Sequence, residues 1–558
     1  MTIGCFSLVL HAHIPYVRKA GVWPFGEEWL FESMAESYIP LLKMLDDLPK
    51  PTRPLLSVGL TPVLLEQLAD PYLKTRFEQY LFQRLDLTGK DIDHHRDRPQ
   101  RKALAQMYEA GYHETLSVFR EFFHKDLLGA FRRLQDEGKV ELLTSAATHG
   151  YLPLLGGDLA ARVQVRLGVR SYERHFGRRP RGLWLPECAY NPGGRWKNPV
   201  TGEVRERAGV EEHLAAEGLE YFIVDHHTIE GGRAEDIYLE RFPFLQPVGP
   251  MPGAPEVRGP TGRTTFFPYA VRNHTRAVTV FGRNERTGLQ VWSGEHGYPG
   301  DGWYREFHKR DSLSGLQYWR VTDHLSRELG TKELYEPDRV GARIEENSDH
   351  FVELVRRLLE EHRNGDRVPI VVAPYDAELF GHWWYEGVRW LRRVLEKLPA
   401  AGIEPVSPGA YLERCQPTQV ISLPESSWGA GGDHRIWLNP DTVWLWKELY
   451  MAEAWMEKAA QSCADRPELG AYLEQAGREL LLMESSDWEF LITTFQARDY
   501  AVRRFREHLD RFNALKAAVE GTGTADLKGI SEQDRLFPEL DVSLWRPEGT
   551  KAWGAFPP

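Results

Sequence analysis

Short, almost entirely apolar segments recur along the first two-thirds of the chain, and each is followed by polar or charged residues. They are residues 3–10, 55–60, 140–143, 182–185, 221–224, 277–281 and 368–373. Runs this apolar are typical of strands that are buried on both faces of a parallel sheet. Amphipathic stretches between them predict helices, so the repeated strand–helix units predict a β/α barrel.

Polar side chains with catalytic potential stand at the predicted carboxyl ends of these strands. They are His11, His13, His149, Glu187, Asp225 and Asp376. Active sites of β/α barrels form at the carboxyl ends of the strands. The shared placement therefore predicts that these residues belong to one site.

Two insertions and one change of pattern predict the domain organisation. Residues 1–415 form the predicted catalytic barrel domain, with a charged helical insertion at 72–124. Residues 228–264 are rich in Gly, Pro and Arg, and a loop of this length in a folded domain is usually functional or disordered. Residues 416–558 are mainly helical in pattern and predict a C-terminal helical domain.

Composition and charge exclude several classes of protein. The net charge of -12 and the pI of about 6.0 disfavour general binding to nucleic acid. No segment reaches the roughly 20 apolar residues that cross a bilayer, and His11, His13 and Pro15 interrupt the only candidate signal sequence. Four cysteines without CxxC spacing favour a reducing compartment. We therefore expect a cytoplasmic protein without membrane or nucleic-acid partners.

Aromatic residues indicate a sugar ligand. They make up 12% of the chain, and several stand in polar, Gly-rich segments such as 381–385 and 426–429. Flat aromatic faces beside polar groups suit sugar rings. Glu187 and Asp376 also lie within aromatic segments, and two carboxyl groups over one barrel mouth are what glycoside cleavage requires.

The spacing of His11 and His13 admits two interpretations. One intervening residue on a strand puts both side chains on the same face. Such a pair can bind zinc in a barrel metallohydrolase, with Asp225 as a further ligand, or can hydrogen-bond to substrate hydroxyls. The spacing alone does not decide between them.

The motifs together resemble glycoside hydrolase family 57, in order and over nearly the whole chain. The matching segments are residues 11–16, 147–151, 184–190, 281–283, 291–293, 297–300, 374–387, 426–429, 437 and 485–488.

This resemblance implies a fold and a reaction. The implied fold is α/β, a distorted (β/α)7 barrel with an inserted helical subdomain and a C-terminal all-helical domain. The implied reaction is retaining branching of α-glucans such as amylose and glycogen, without metal or cofactor. By this resemblance Glu187 is expected to be the nucleophile that forms a covalent glucosyl-enzyme, Asp376 the general acid/base, and a glucan 6-hydroxyl the acceptor of the chain.

The resemblance also implies roles for further residues. His11, His13 and His149 contact substrate, and the binding grooves are lined by Arg283, Trp292, Trp428 and Trp437. Trp184 and Asp487, which stand in the matching motifs, are expected to bind substrate as well. Tyr238, the only tyrosine of the 228–264 loop, is expected to reach over the site and take part in catalysis.

Three alternative functions remain open from the sequence. An α-amylase or 4-α-glucanotransferase of the same family differs only in the acceptor, which is water or a 4-hydroxyl. A metal-dependent barrel hydrolase would use His11 and His13 as ligands. A glycogen-binding protein without chemistry is the third, and the intact Glu187–Asp376 pair argues against it.

Overall fold

Seven parallel strands form the continuous part of the main sheet. The computed structural model describes residues 2–232, 260–272, 277–293, 296–324, 326 and 328–547. The strands are β1 (Gly4–Ala12), β2 (Leu56–Leu60), β3 (Val140–Ser145), β4 (Gly182–Trp184), β5 (Gly194–Lys197), β6 (Val204–Arg207), β7 (Tyr221–Val224), β8 (Tyr269–Arg272), β9 (Ala277–Gly282), β10 (Ile370–Asp376), β11 (Ile403–Pro405) and β12 (Val420–Ile421). With the strands numbered in this way along the chain, the seven parallel strands pair in the order β10, β1, β2, β3, β4, β7 and β9.

Each apolar run of the sequence corresponds to one of these seven parallel strands. The pairs β10–β1, β1–β2, β2–β3, β3–β4, β4–β7 and β7–β9 are all parallel. All nine residues of β1 are buried, as expected for a strand with both faces covered. The predicted α/β fold with a distorted (β/α)7 barrel is confirmed.

The barrel is extended at one end and open at one seam. β8 pairs antiparallel with β9 and parallel with β12, whereas β11 joins β1, and β5 and β6 form a separate hairpin. Within the described ranges β9 and β10 share no strand pairing. The seam carries a hydrogen bond from Asn284 N to Val372 O (2.8 Å) instead.

Helices cover the barrel, form the insertion and build the C-terminal region. They are Glu27–Ser33, Ile39–Asp47, Pro62–Ala69, Pro71–His94, Pro99–Ser117, Leu127–Asp136, Asp158–Phe176, Val210–Ala216, His226–Glu230, Glu285–Trp292, Pro337–Glu361, Gly387–Lys397, Pro408–Leu412, Val443–Ser462, Gly470–Met483, Asp487–Thr493, Arg498–Glu520 and Leu527–Gln533. Pro71–His94 and Pro99–Ser117 pack on each other and account for most of the predicted 72–124 insertion. No described helix is long and apolar enough to cross a membrane.

The C-terminal region packs on the barrel through one shared apolar core. The same buried cluster contains Trp184 and Leu185 of the barrel and Trp446, Leu480 and Trp488 of the C-terminal helices. The first helix of this region begins at Val443, and residues 420–421 still add a strand to the barrel sheet. This packing brings C-terminal side chains to the carboxyl ends of the strands.

Candidate active site

A cleft of about 770 Å³ opens at the carboxyl ends of the parallel strands. Residues expected from the sequence that line it are His11, His13, His149, Glu187, Arg283, Trp292, Asp376, Trp428 and Asp487. Asp376 is the last residue of β10, and Arg283 directly follows β9. The barrel register therefore brings residues that are far apart in sequence into one cleft.

Glu187 stands on a strained turn that follows β4. Its backbone has φ 58° and ψ 23°, a left-handed conformation that is uncommon for a residue with a Cβ. Cys188 (φ 49°) and His149 (φ 59°) share this region of backbone space. Strained backbone persists where the surrounding structure imposes it, and it is often found at functional sites.

The C-terminal region holds the Glu187 carboxyl group. The indole Nε1 of Trp428 donates to Glu187 Oε2 at 2.6 Å, and the Trp428 backbone N donates to Glu187 O at 3.0 Å. Ser486 Oγ donates to Glu187 Oε1 at 3.4 Å. The His149 ring also lies close, with Nδ1 3.9 Å from Oε1. Both carboxyl oxygens are therefore oriented by neighbours.

Burial raises the pKa of Glu187 to about 8. The hydrogen bond from Trp428 opposes this effect, and the negative charges of Asp376 and Asp487 add to it. Burial thus favours the protonated form of Glu187, whereas the hydrogen bonds from Trp428 and Ser486 favour the ionised form that a nucleophile needs.

His11 and His149 form a neutral pair behind Glu187. Their Nε2 atoms are 3.1 Å apart, and His149 Nδ1 lies 2.9 Å from Ser486 Oγ. Burial, together with neighbouring histidines, lowers the pKa of both rings well below the usual value. Both imidazoles are therefore uncharged at neutral pH and act as hydrogen-bonding groups.

His13 connects the barrel to the C-terminal region. Its Nε2 donates to Asp487 Oδ2 at 2.9 Å, and its Nδ1 lies 3.0 Å from Thr61 Oγ1. Burial pushes the pKa of Asp487 upward, but the attraction of the His13 ring outweighs it and holds that pKa below its usual value. The pair places a charged carboxylate in the cleft wall.

Arg283 is held by a fully buried carboxylate. Asp225 accepts from Arg283 Nε at 2.8 Å and from Arg283 Nη2 at 3.0 Å. The guanidinium lies 6.0 Å from the Trp428 ring centroid. Burial alone would raise the pKa of Asp225, but Arg283 holds it well below its usual range. Asp225 is thus a partner of a cleft residue, outside the cleft lining itself.

Two tryptophans expected to bind substrate lie behind the cleft surface. Trp184 is fully buried and stacks under His11 at 4.6 Å, with its edge toward Trp428 at 5.3 Å. Trp437 is also fully buried and stacks on Tyr151 at 4.4 Å. Neither ring lines the cleft, because each packs behind other residues, and the assignment of both to substrate binding stays a prediction. Tyr238 lies outside the described residues, so its role stays a prediction.

Two residues that contact the predicted site residues were not assigned a role from the sequence: Glu378, which lines the cleft, and Ser486, which is buried behind it. Glu378 accepts from His13 N at 3.1 Å and from the Tyr38 hydroxyl, and burial raises its pKa to about 7. It stands two residues after Asp376, on the short turn that follows β10. Ser486 is the other, and its place in the 485–488 motif was the available signal.

The zinc interpretation of His11 and His13 finds little support. Among the described residues, Asp225 clusters with His226 and His227 rather than with His11 and His13. Its charge is already balanced by Arg283. The two cleft histidines instead contact protein side chains, His149 in the case of His11 and Asp487 and Thr61 in the case of His13.

Sequence comparison agrees with this geometry. A model of glycosyl hydrolase family 57 matches residues 7–424, which include both β4 and β10. The chain belongs to glycosyl hydrolase family 57. A second model, described as the C-terminal part of 1,4-alpha-glucan branching enzyme, matches residues 448–545.

Individual relatives match along most of the chain. A 1,4-alpha-glucan branching enzyme of Thermococcus kodakarensis is 46% identical over 92% of this chain and 73% of its own length. The crystal structure of a family 57 branching enzyme from Pyrococcus horikoshii covers 98% of this chain and 97% of its own, with 44% identity and a TM-score of 0.86. The α-amylase AmyC of Thermotoga maritima covers 98% of this chain and 100% of its own, with 29% identity and a TM-score of 0.80.

Proposed function

We propose that this protein is a retaining 1,4-α-glucan branching enzyme. The observation that carries the proposal is that Glu187 and Asp376 line one cleft together with several aromatic side chains. Relatives named as branching enzymes are similar along both the barrel and the C-terminal region. The proposed substrate is an α-glucan such as amylose or glycogen.

The proposed reaction has two steps. Glu187 attacks the anomeric carbon of an α-1,4 linkage while Asp376 protonates the leaving glycosidic oxygen. Asp376 then removes the proton from a glucan 6-hydroxyl, which displaces Glu187 and forms an α-1,6 branch. Retention of configuration follows from the two successive displacements. The neutral rings of His11 and His149 add no charge to the site.

Hydrolysis is the second candidate outcome, because a family amylase aligns with nearly the whole chain. Water is the default acceptor unless a glucan is held beside the intermediate. The surface available for an acceptor includes Trp292 and Trp428, whose rings lie 6.3 Å apart in the cleft wall. Transfer is expected to exceed hydrolysis for this reason.

Linkage analysis after incubation with amylose tests the proposal. New α-1,6 linkages are expected, whereas shorter linear chains alone would indicate an amylase or a 4-α-glucanotransferase. Glu187→Gln should abolish turnover and keep glucan binding, because the amide fills the same volume but does not attack. Glu453→Gln is the matched control, since Glu453 is also a buried carboxyl group but lies outside the cleft lining. Activity that disappears on dialysis against a chelator would instead support the metal-dependent alternative.

A further inference from the structure

A chain of hydrogen bonds leads from the interior of the barrel to Glu187. His11 Nε2 lies 3.1 Å from His149 Nε2, and His149 Nδ1 lies 2.9 Å from Ser486 Oγ. Ser486 Oγ lies 3.4 Å from Glu187 Oε1. His11, His149 and Ser486 are all buried, so water does not compete for these contacts.

The direction of the chain follows from counting its protons. Each neutral imidazole carries one N–H, and the serine hydroxyl carries one O–H. If Ser486 donates to Glu187, then His149 Nδ1–H donates to Ser486 and His11 Nε2–H donates to His149. This arrangement uses every proton. It leaves a bare lone pair on His11 Nδ1, which has no hydrogen-bond partner among the described residues.

The opposite direction costs two interactions. Ser486 would then donate to His149, so Glu187 Oε1 would lose its serine donor. His149 would donate to His11, and His11 Nδ1 would carry a buried N–H without an acceptor. An unsatisfied buried donor costs about 1–3 kcal/mol. The directed arrangement, which ends on the carboxylate, is therefore preferred.

The surroundings hold Ser486 in place for this contact. Its backbone N donates to His149 O at 3.2 Å, and Ser485 forms an isolated bridge with Gly150. The barrel loop that carries His149 and the C-terminal segment that carries Ser486 are thus joined by main-chain hydrogen bonds. The distance between the serine hydroxyl and Glu187 depends on this junction.

We propose that Ser486 is a positioning residue that completes a one-way hydrogen-bond chain from His11 through His149 to Glu187, favours the ionised form of that carboxyl group against its burial, and aims it at the substrate. The inference rests on the proposed role of Glu187 as nucleophile. The groups that face Glu187 are Trp428 and Ser486 as donors, Asp376 and Asp487 as negative charges, and the rings of His13 and His149.

The pH dependence of a Ser486→Ala variant tests the proposal. Loss of a donor to the charged form favours protonated Glu187, so the acid limb of kcat/KM should move to higher pH by about 0.5–1 unit. Activity below that limb should fall roughly three- to tenfold. Ser486→Thr, which keeps the hydroxyl, should restore the limb. An unchanged limb in Ser486→Ala, or a loss that is equal at every pH, would overturn the proposal.

Ser171→Ala is the matched control. Ser171 is a fully buried serine that donates to the Glu66 carboxylate at 3.0 Å, and neither residue lines the cleft. Its replacement removes the same kind of hydrogen bond and should leave the limb in place. In all of these variants the rate is measured as the disappearance of long amylose chains, which reports cleavage of α-1,4 bonds whichever acceptor is used. An active Glu187→Gln variant would overturn the proposed function, whereas an unshifted Ser486→Ala limb beside an inactive Glu187→Gln overturns the hydrogen-bond chain alone.

A second measurement reads the tautomer of His149 in the wild-type protein and uses a variant only to assign its signals. In 15N spectra of histidine-labelled protein, the His149 signals are identified by their absence from a His149→Gln sample. The proposal requires His149 to be protonated at Nδ1 and bare at Nε2. Protonation at Nε2 alone would reverse the chain and overturn the proposal.

Discussion

Replacement of Trp428 by phenylalanine removes one hydrogen bond from Glu187 and keeps most of the aromatic surface. The bond that is lost runs from Nε1 to Glu187 Oε2 at 2.6 Å, and it opposes the rise in the pKa of Glu187 to about 8. Hydrogen bonds to charged groups contribute about 1.5–3 kcal/mol, equivalent to roughly one to two pH units. Without it, the pKa of Glu187 should rise further, and the ionised fraction at neutral pH should fall about 10- to 100-fold.

The kinetic consequence is a loss of kcat/KM at neutral pH with an acid limb displaced to higher pH. Initial rates of amylose cleavage between pH 5 and 9 measure both effects. Trp446→Phe is the control, because Trp446 is also buried and its Nε1 donates to Trp437 O at 2.9 Å, away from the cleft lining. Trp428→Phe activity within twofold of wild type at neutral pH, with the limb unmoved, would refute this account of how Trp428 limits the rise in the pKa of Glu187.

Three further outcomes are expected. Glu187→Gln should be more stable than wild type, and the gain in stability should grow as the pH rises from about 4.5 toward about 8. The reason is that the pKa of Glu187 is raised in the folded state, so its ionisation destabilises the fold over this window. Thermal melts across this pH range check the prediction, and a gain independent of pH would contradict it. Asp225→Ala should cost about 3–5 kcal/mol because it leaves the buried Arg283 charge without its bidentate partner. Asp441→Ala is the control: it removes an exposed ion pair and should lower the free energy of unfolding in urea by at most about 1 kcal/mol. Similar losses in the two variants would contradict the larger stabilising role of the buried Asp225–Arg283 pair. Tyr238→Ala should lower branching far more than hydrolysis, as measured by linkage analysis beside reducing-end release, and equal losses would place acceptor selection elsewhere.

The hydrophobicity pattern of the sequence was sufficient to predict the strands of the barrel. Burial on both faces makes each parallel strand a continuous apolar run, so all seven parallel strands could be located from hydrophobicity alone. The polar residues that follow them could be assigned to one cleft because parallel strands end at the same edge of the barrel. The shorter additions to the sheet, β8, β11 and β12, have no comparable run and were not predicted.

Side-chain burial at the site could not be predicted in the same way. Trp184, Trp428 and Trp437 stand in similar aromatic motifs, yet only Trp428 lines the cleft, whereas the other two pack behind it. An indole ring can serve equally as core or as binding surface. Which of these it does depends on what packs against it.

The sequence by itself located the buried strands, the polar residues that follow them, and the Glu187–Asp376 pair. Only the tertiary structure decided which side chains hydrogen-bond to the Glu187 carboxyl group. Trp428 and Ser486 reach Glu187 from positions 241 and 299 residues further along the chain. Contacts over such separations depend on how the segments after residue 421 pack on the barrel. The hydrophobic burial that drives this packing leaves no periodic signal linking them to Glu187.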